Sequence, residues 1–192
     1  MQNEVVQVGV VAVVPTNNGA AVFLGDGEKV MVIHMEAGAG NAISMFLNGA
    51  PKERPLTHDL IALLLESFGA HVERVVINDF IDGIYFARLI VSAENELHAR
   101  KVIEIDARPS DSIALAIQQQ APVFVAKNVW EDADDMSEVL AKLGEQSGEE
   151  SGSDAGEEDT AESAEDDESE EDDDEPFGDD ADDGENGPAS KS

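Results

Sequence analysis

Two short segments carry the residues best suited to chemistry. Arg54-Pro55-Leu56-Thr57-His58-Asp59 opens one helical pattern, and Arg108-Pro109-Ser110-Asp111 opens another. Each sets Arg-Pro ahead of a helix, then a hydroxyl residue at the N-cap, then an acid in the first turn. Part of this is helix grammar. Thr57 and Ser110 suit the cap, proline tolerates a helix start, and Asp59 and Asp111 complement the positive end of the dipole. The same set has a second meaning. A helix N-terminus attracts anions, and an adjacent guanidinium adds a fork that matches phosphate. The dipole disfavours a protonated His58, and a neutral imidazole is the state that a general base or a metal ligand requires. The candidate catalytic residues are therefore His58, Asp59 and Asp111. Arg54, Arg108 and Ser110 are the candidate phosphate binders, and Asp59 and Asp111 the candidate ligands of a divalent metal. Such a set would cleave phosphodiesters if the two helix starts face each other.

The elements that must position these residues follow from hydrophobic spacing. Val-rich Glu4–Val14, apolar on both faces, predicts a buried strand. Ala21–Leu24 and Lys29–Met35 predict two more, separated by Gly25-Asp26-Gly27, and Asn41–Leu47 predicts a short helix. Thr57–Phe68 is a stronger helix, with Leu60, Ile61, Leu64, Leu65 and Phe68 on one apolar face and Gly69 as its stop. Val72–Phe80 and Ile84–Val91 flank the hairpin dipeptide Asp82-Gly83. Arg100–Asp106 is a further strand and Ser110–Gln119 a helix. Pro122–Ala126 returns as a strand expected beside Arg100–Asp106, before a last helix over Asp134–Leu143. The halves look alike at an offset of 70 residues; a diverged βββα duplication would explain this, and so would chance similarity between two amphipathic strand–turn–helix pieces. The class is α+β with a mixed, largely antiparallel sheet.

Charge divides the chain. Residues 1–144 hold 20 Asp and Glu against 10 Lys and Arg, a balance of −10, and are read as the folded domain. Residues 145–192 hold 23 acids and one base, a balance of −22, with almost nothing apolar; this predicts a disordered acidic tail. Its lone aromatic, Phe177, reads as a stray residue of a solubilising tail, with a short partner-binding motif as the alternative, and the charge of the tail would suit a basic protein partner. The absence of cysteine excludes a disulfide scaffold, a thiolate metal site and a Cys nucleophile. No stretch is apolar for long enough to span a membrane, and the N-terminus lacks a signal-peptide pattern, so a cytoplasmic protein is expected.

Weaker candidates surround the main ones. Gly38-Ala39-Gly40-Asn41-Ala42 suggests a phosphate loop, but it lacks the glycines of a dinucleotide fingerprint and the lysine of a P-loop, so no organic cofactor is expected. His34 reads as a packed strand residue; His71 and His98 read as solvent-facing. Asn78, Asp79 and Asp82 read as turn chemistry, and Asp132, Asp134 and Asp135 as capping acids. With one Trp and one Tyr, the composition offers no aromatic platform for bases.

RPLTHDL at 54–60, VIEIDARPSDSIALAI at 102–117 and APVFV at 121–125 resemble the bifunctional nuclease domain family, over about residues 4–130. The resemblance implies an α+β domain, often a homo-oligomer, that cleaves DNA and RNA, both single- and double-stranded. By motif, Arg54, His58 and Asp59 match the first signature, and Arg108, Ser110 and Asp111 the second. Two features depart from the pattern: the acidic tail replaces a helical-hairpin module found in some relatives, and the Gly-rich stretch around Glu36 gives no reason to assign that residue a role. Composition leaves an alternative open, a non-catalytic regulatory module that binds an anion or a protein. The acidic balance and the lack of a basic patch favour that alternative.

Overall fold

The computed structural model describes residues 4–94 and 99–149. Strands β1 (Val5–Thr16), β2 (Gly19–Gly25) and β3 (Val30–Met35) form one antiparallel meander. Strands β4 (Ala70–Ile81), β5 (Ile84–Glu94) and β6 (Arg100–Ala107) form a second. Strand β7 (Val123–Ala126) lies between them, antiparallel to β1 and parallel to β4, so the sheet order is β3-β2-β1-β7-β4-β5-β6. Outward from β7 the two sides mirror each other in order, and β1 and β4 run in opposite directions. That is the arrangement of two βββα units about an approximate two-fold axis normal to the sheet. The expected class, α+β with a mixed, mostly antiparallel sheet, is the observed one. The expected neighbour of β7 is not: it pairs with β1 and β4 instead of β6, because only the central gap between the meanders buries Val123 and Val125.

Helices α1 (Ala37–Leu47), α2 (Thr57–Ser67) and α3 (Pro109–Gln118) follow β3, α1 and β6 in the chain; α4 (Lys127–Asp132) and α5 (Ser137–Glu149) follow β7. Ile43 of α1 and Ile113 and Leu115 of α3 join Val22, Leu24, Met31, Val75, Ile77 and Val125 of the sheet in one core. At roughly 1.5–3 kcal/mol per fully buried aliphatic side chain, this core is what holds α1 and α3 on the sheet. Gly40 explains why α1 starts earlier than expected. A Cβ there would stand 2.2 Å from the Ala20 Cβ, so the helix needs glycine in order to approach β2. The residues that suggested a loop are its first turns.

Several expectations change in the structure. Strand β1 is not buried on both sides: Val8 is buried, while Val5 and Val11 are exposed among the described residues. The apolar face of α2 splits. Ala62 is buried and Ile61 and Leu65 pack on the core, but Leu60, Leu63, Leu64 and Phe68 are exposed, Phe68 at 80%. The short helix α4, which buries Val129 and Trp130, was not foreseen. Helix α5 starts later than expected because Asp135 caps it, accepting hydrogen bonds from the Ser137 backbone and hydroxyl. It then runs to Glu149, past the boundary drawn after Gly144. The remainder of the proposed tail, including Phe177, lies outside the described residues, as does His98. Among the described residues, no helix is long and apolar enough to cross a membrane.

Candidate active site

The starts of α1, α2 and α3 meet at one place. Helix α3 begins at the N-cap Arg108, with Pro109 first, and its third residue is Asp111. Helix α2 begins at the N-cap Leu56, with His58 as its second residue. His58 Nε2 lies 3.3 Å from Asp111 Oδ1. Arg108 binds the same carboxylate, Nε to Oδ2 at 2.8 Å and a terminal nitrogen to Oδ1 at 3.3 Å. Its other terminal nitrogen lies 3.5 Å from Glu36, the N-cap of α1. Three positive dipole ends therefore converge, and two carboxylates, Asp111 and Glu36, stand among them. Thr57 and Ser110 are inside their helices, not at the caps, and no side chain caps α1 or α3.

His58 is held between Asp111 and Phe46. Its side chain is only 12% exposed, and the Phe46 ring of α1 meets it edge-on at 6.2 Å between centroids. With the proton on Nε2, His58 donates to Asp111, which leaves Nδ1 with the lone pair. Burial pushes the Asp111 carboxyl up, but hydrogen bonds from Arg108 and His58 outweigh it and hold its pKa below the ordinary 3.8. Asp111 is therefore an anion near neutral pH, able to orient the ring and to stabilise an imidazolium.

Asp59 belongs to a different cluster. Lys52 Nζ reaches its two oxygens at 2.6 and 2.7 Å, the Leu56 backbone N–H donates to it, and Gln118 Nε2 lies 3.4 Å away. Lys52 also stands over the Phe46 ring, 4.3 Å from its centroid. Burial raises the Asp59 pKa, but these donors prevail and lower it. Arg54 lines a shallow hollow beside this cluster with Lys52, Asp59, Leu63 and Gln118, and makes no ion pair among the described residues. So His58, Arg108 and Asp111 come together, while Asp59 and Arg54 do not join them.

This arrangement does not suit a metal shared by Asp59 and Asp111. Each carboxylate already has both oxygens engaged by a cationic donor, and a cation at either one would have to displace Lys52 or Arg108. Among the described residues, no group of three or more His, Asp or Glu side chains is placed to hold a metal ion.

A groove of about 540 Å³ leads away from Arg108. It is lined by His34 and Met35 of the edge strand β3, by Glu36 at the start of α1, and by Phe80, Ile84 and Tyr85 at the tip of the β4–β5 hairpin. Arg108, Pro109 and the buried Ser110 also line it. His34 is exposed here, contrary to the packed position expected, because β3 is an edge strand. The Phe80 and Tyr85 rings lie 4.3 Å apart at 35°, so the chain does present an aromatic surface. Composition missed it because the two residues meet only when the Asp82-Gly83 turn folds the hairpin. Glu36 was missed because its neighbours read as loop. The signal that could have found it was the internal repeat, which makes the start of α1 the counterpart of the start of α3.

The bifunctional nuclease domain model matches residues 22–138. The chain belongs to the bifunctional nuclease domain family. The matched region contains both Arg-Pro motifs and all the residues of the convergent site. An uncharacterized protein in each of two strains of Mycobacterium tuberculosis is 32% identical to the chain over 108 residues. That alignment covers 56% of this chain and 61% of each relative.

Proposed function

We propose that this chain hydrolyses phosphodiester bonds of DNA and RNA, with His58 as the general base. The observation that carries the reading is the His58–Asp111 contact at the meeting of the helix N-termini. His58 Nδ1 takes a proton from water as the water oxygen bonds to phosphorus. The bond from phosphorus to the leaving sugar oxygen then breaks, and that oxygen takes a proton from solvent. Asp111 fixes the tautomer and stabilises the imidazolium that forms. Arg108 turns from Glu36 to the phosphate, and the uncapped first turns of α1 and α3 face the charge that grows on its oxygens. No step is assigned to a metal, because the two candidate carboxylates are already paired with Lys52 and Arg108.

The pairing of Arg108 also favours a second reading, an anion-binding regulatory module in which the site binds without cutting. One assay separates the two. The purified chain is incubated with single- and double-stranded DNA and RNA, with and without chelator, beside His58→Ala. Hydrolysis that falls by about 100-fold or more in the variant supports the nuclease. Binding without hydrolysis supports the module.

A further inference from the structure

We propose that the groove between β3 and the β4–β5 hairpin tip is a subsite for one unpaired nucleobase, stacked on Phe80 and Tyr85. The inference rests on the proposed function only for its location, since the groove ends at Arg108, the residue that would hold the phosphate.

Four observations converge on a base. The groove's volume, about 540 Å³, is within the usual range for a small-ligand site. Its hairpin lining is apolar and aromatic, while the β3 lining offers His34, and Arg108 lies at its end. Phe80 is 48% exposed although its ring stacks on Tyr85, so half of a large apolar side chain stands in water beside the groove. The platform is also built to keep its shape. Asp82 and Gly83 both have positive φ, the two-residue turn that matches strand twist, and Ile81 and Ile84 pair directly across it.

Charge selects the base over the backbone. The groove borders Glu36, and Asp79, Asp132 and Asp134 line a second hollow that Phe80 and Tyr85 also line. These carboxylates repel phosphates but not an uncharged base. A strand would therefore enter by its base, with a single phosphate reaching Arg108. A base inside a duplex cannot present its face to Phe80 without being unstacked. The subsite thus selects single strands, frayed ends or flipped nucleotides.

The test is a binding titration at low salt with the full chain and a short non-cleavable single-stranded oligonucleotide carrying phosphorothioate linkages. A matched oligonucleotide with abasic positions and a blunt duplex are run alongside. Phe80 is exposed, so Phe80→Ala should leave the fold intact, which circular dichroism checks. Stacking on one aromatic side chain corresponds to roughly 5- to 150-fold in affinity. The wild type should bind the base-containing strand more tightly than the abasic strand by such a factor. Phe80→Ala should lose that difference while its abasic binding is unchanged. If Phe80→Ala binds the base-containing strand as the wild type does, or if no strand binds, the subsite is refuted. Cleavage is not needed for this readout. Phe80-dependent binding, with an unmodified strand left uncut in a parallel incubation, would keep the subsite and refute the nuclease, whereas cleavage of that strand with binding independent of Phe80 would do the reverse.

Discussion

His58 Nε2 and Asp111 Oδ1 stand 3.3 Å apart although the residues are separated by 53 positions in the chain. The contact joins the first turns of α2 and α3, where two positive dipole ends would otherwise repel. Asp111 resolves that conflict: its charge sits between the two helix starts, close to Arg108, and its geometry fixes one tautomer of the imidazole. The acid that stabilises the helix starts is the same one that prepares the base.

Asp59 has the structural counterpart of this role, and its prediction concerns stability. It accepts hydrogen bonds from Lys52 and the Leu56 backbone, and its pKa is lowered in the fold. A carboxyl with a depressed folded pKa contributes stability that is fully present above its unfolded pKa of about 3.9 and is lost as pH falls through the lower folded value. Asp59→Asn should cost about 1–3 kcal/mol in urea denaturation at neutral pH. It should also flatten the decline in stability below about pH 4, where Asp111 would still contribute.

Two glycines of α1 should respond in opposite directions. Gly40→Ala places a Cβ against Ala20 and should destabilise the fold by about 1–3 kcal/mol. At Gly38 an added Cβ meets nothing within 4 Å, so Gly38→Ala should stabilise by about 0.5–1 kcal/mol through helix propensity. Thermal unfolding of both variants checks the tight approach of α1 to β2.

The parts of this fold that rest on local spacing were legible in the sequence. The Asp82-Gly83 turn between two apolar runs marked β4 and β5, and Leu-rich spacing marked α2. The parts that depend on which elements pair were not. Nothing local places β7 between β1 and β4, or exposes Leu60 and Leu64 instead of burying them. The two Arg-Pro motifs pointed to His58, Asp111 and Arg108, whose convergence was stated as a condition and is met. Asp59 and Arg54 have the same motif positions but point into another cluster, because Lys52 captures Asp59. Glu36 was hidden because its neighbours read as loop, and the Phe80–Tyr85 pair because it forms only in the register of the folded hairpin.

Glu36 should compete with substrate. Its carboxylate is exposed and lies 3.5 Å from Arg108, the guanidinium proposed to take the phosphate. An exposed pair of this kind contributes at most about 1 kcal/mol. Glu36→Gln should therefore tighten oligonucleotide binding by up to about 5-fold at low salt. The gain should shrink as salt screens both interactions, which fluorescence anisotropy across a salt series would reveal.

The central claim is that His58 acts as a base oriented by Asp111, and Asp111→Asn tests it most directly. Asparagine keeps the size of the side chain but offers His58 no negative charge, and its amide nitrogen cannot accept a hydrogen bond. Single-turnover hydrolysis of a short single-stranded oligonucleotide should fall by about 100-fold or more in Asp111→Asn. Oligonucleotide affinity should not fall, because the change also frees Arg108, and the circular dichroism spectrum should stay close to that of the wild type. Hydrolysis by the variant at the wild-type rate, with the fold intact, would contradict the account.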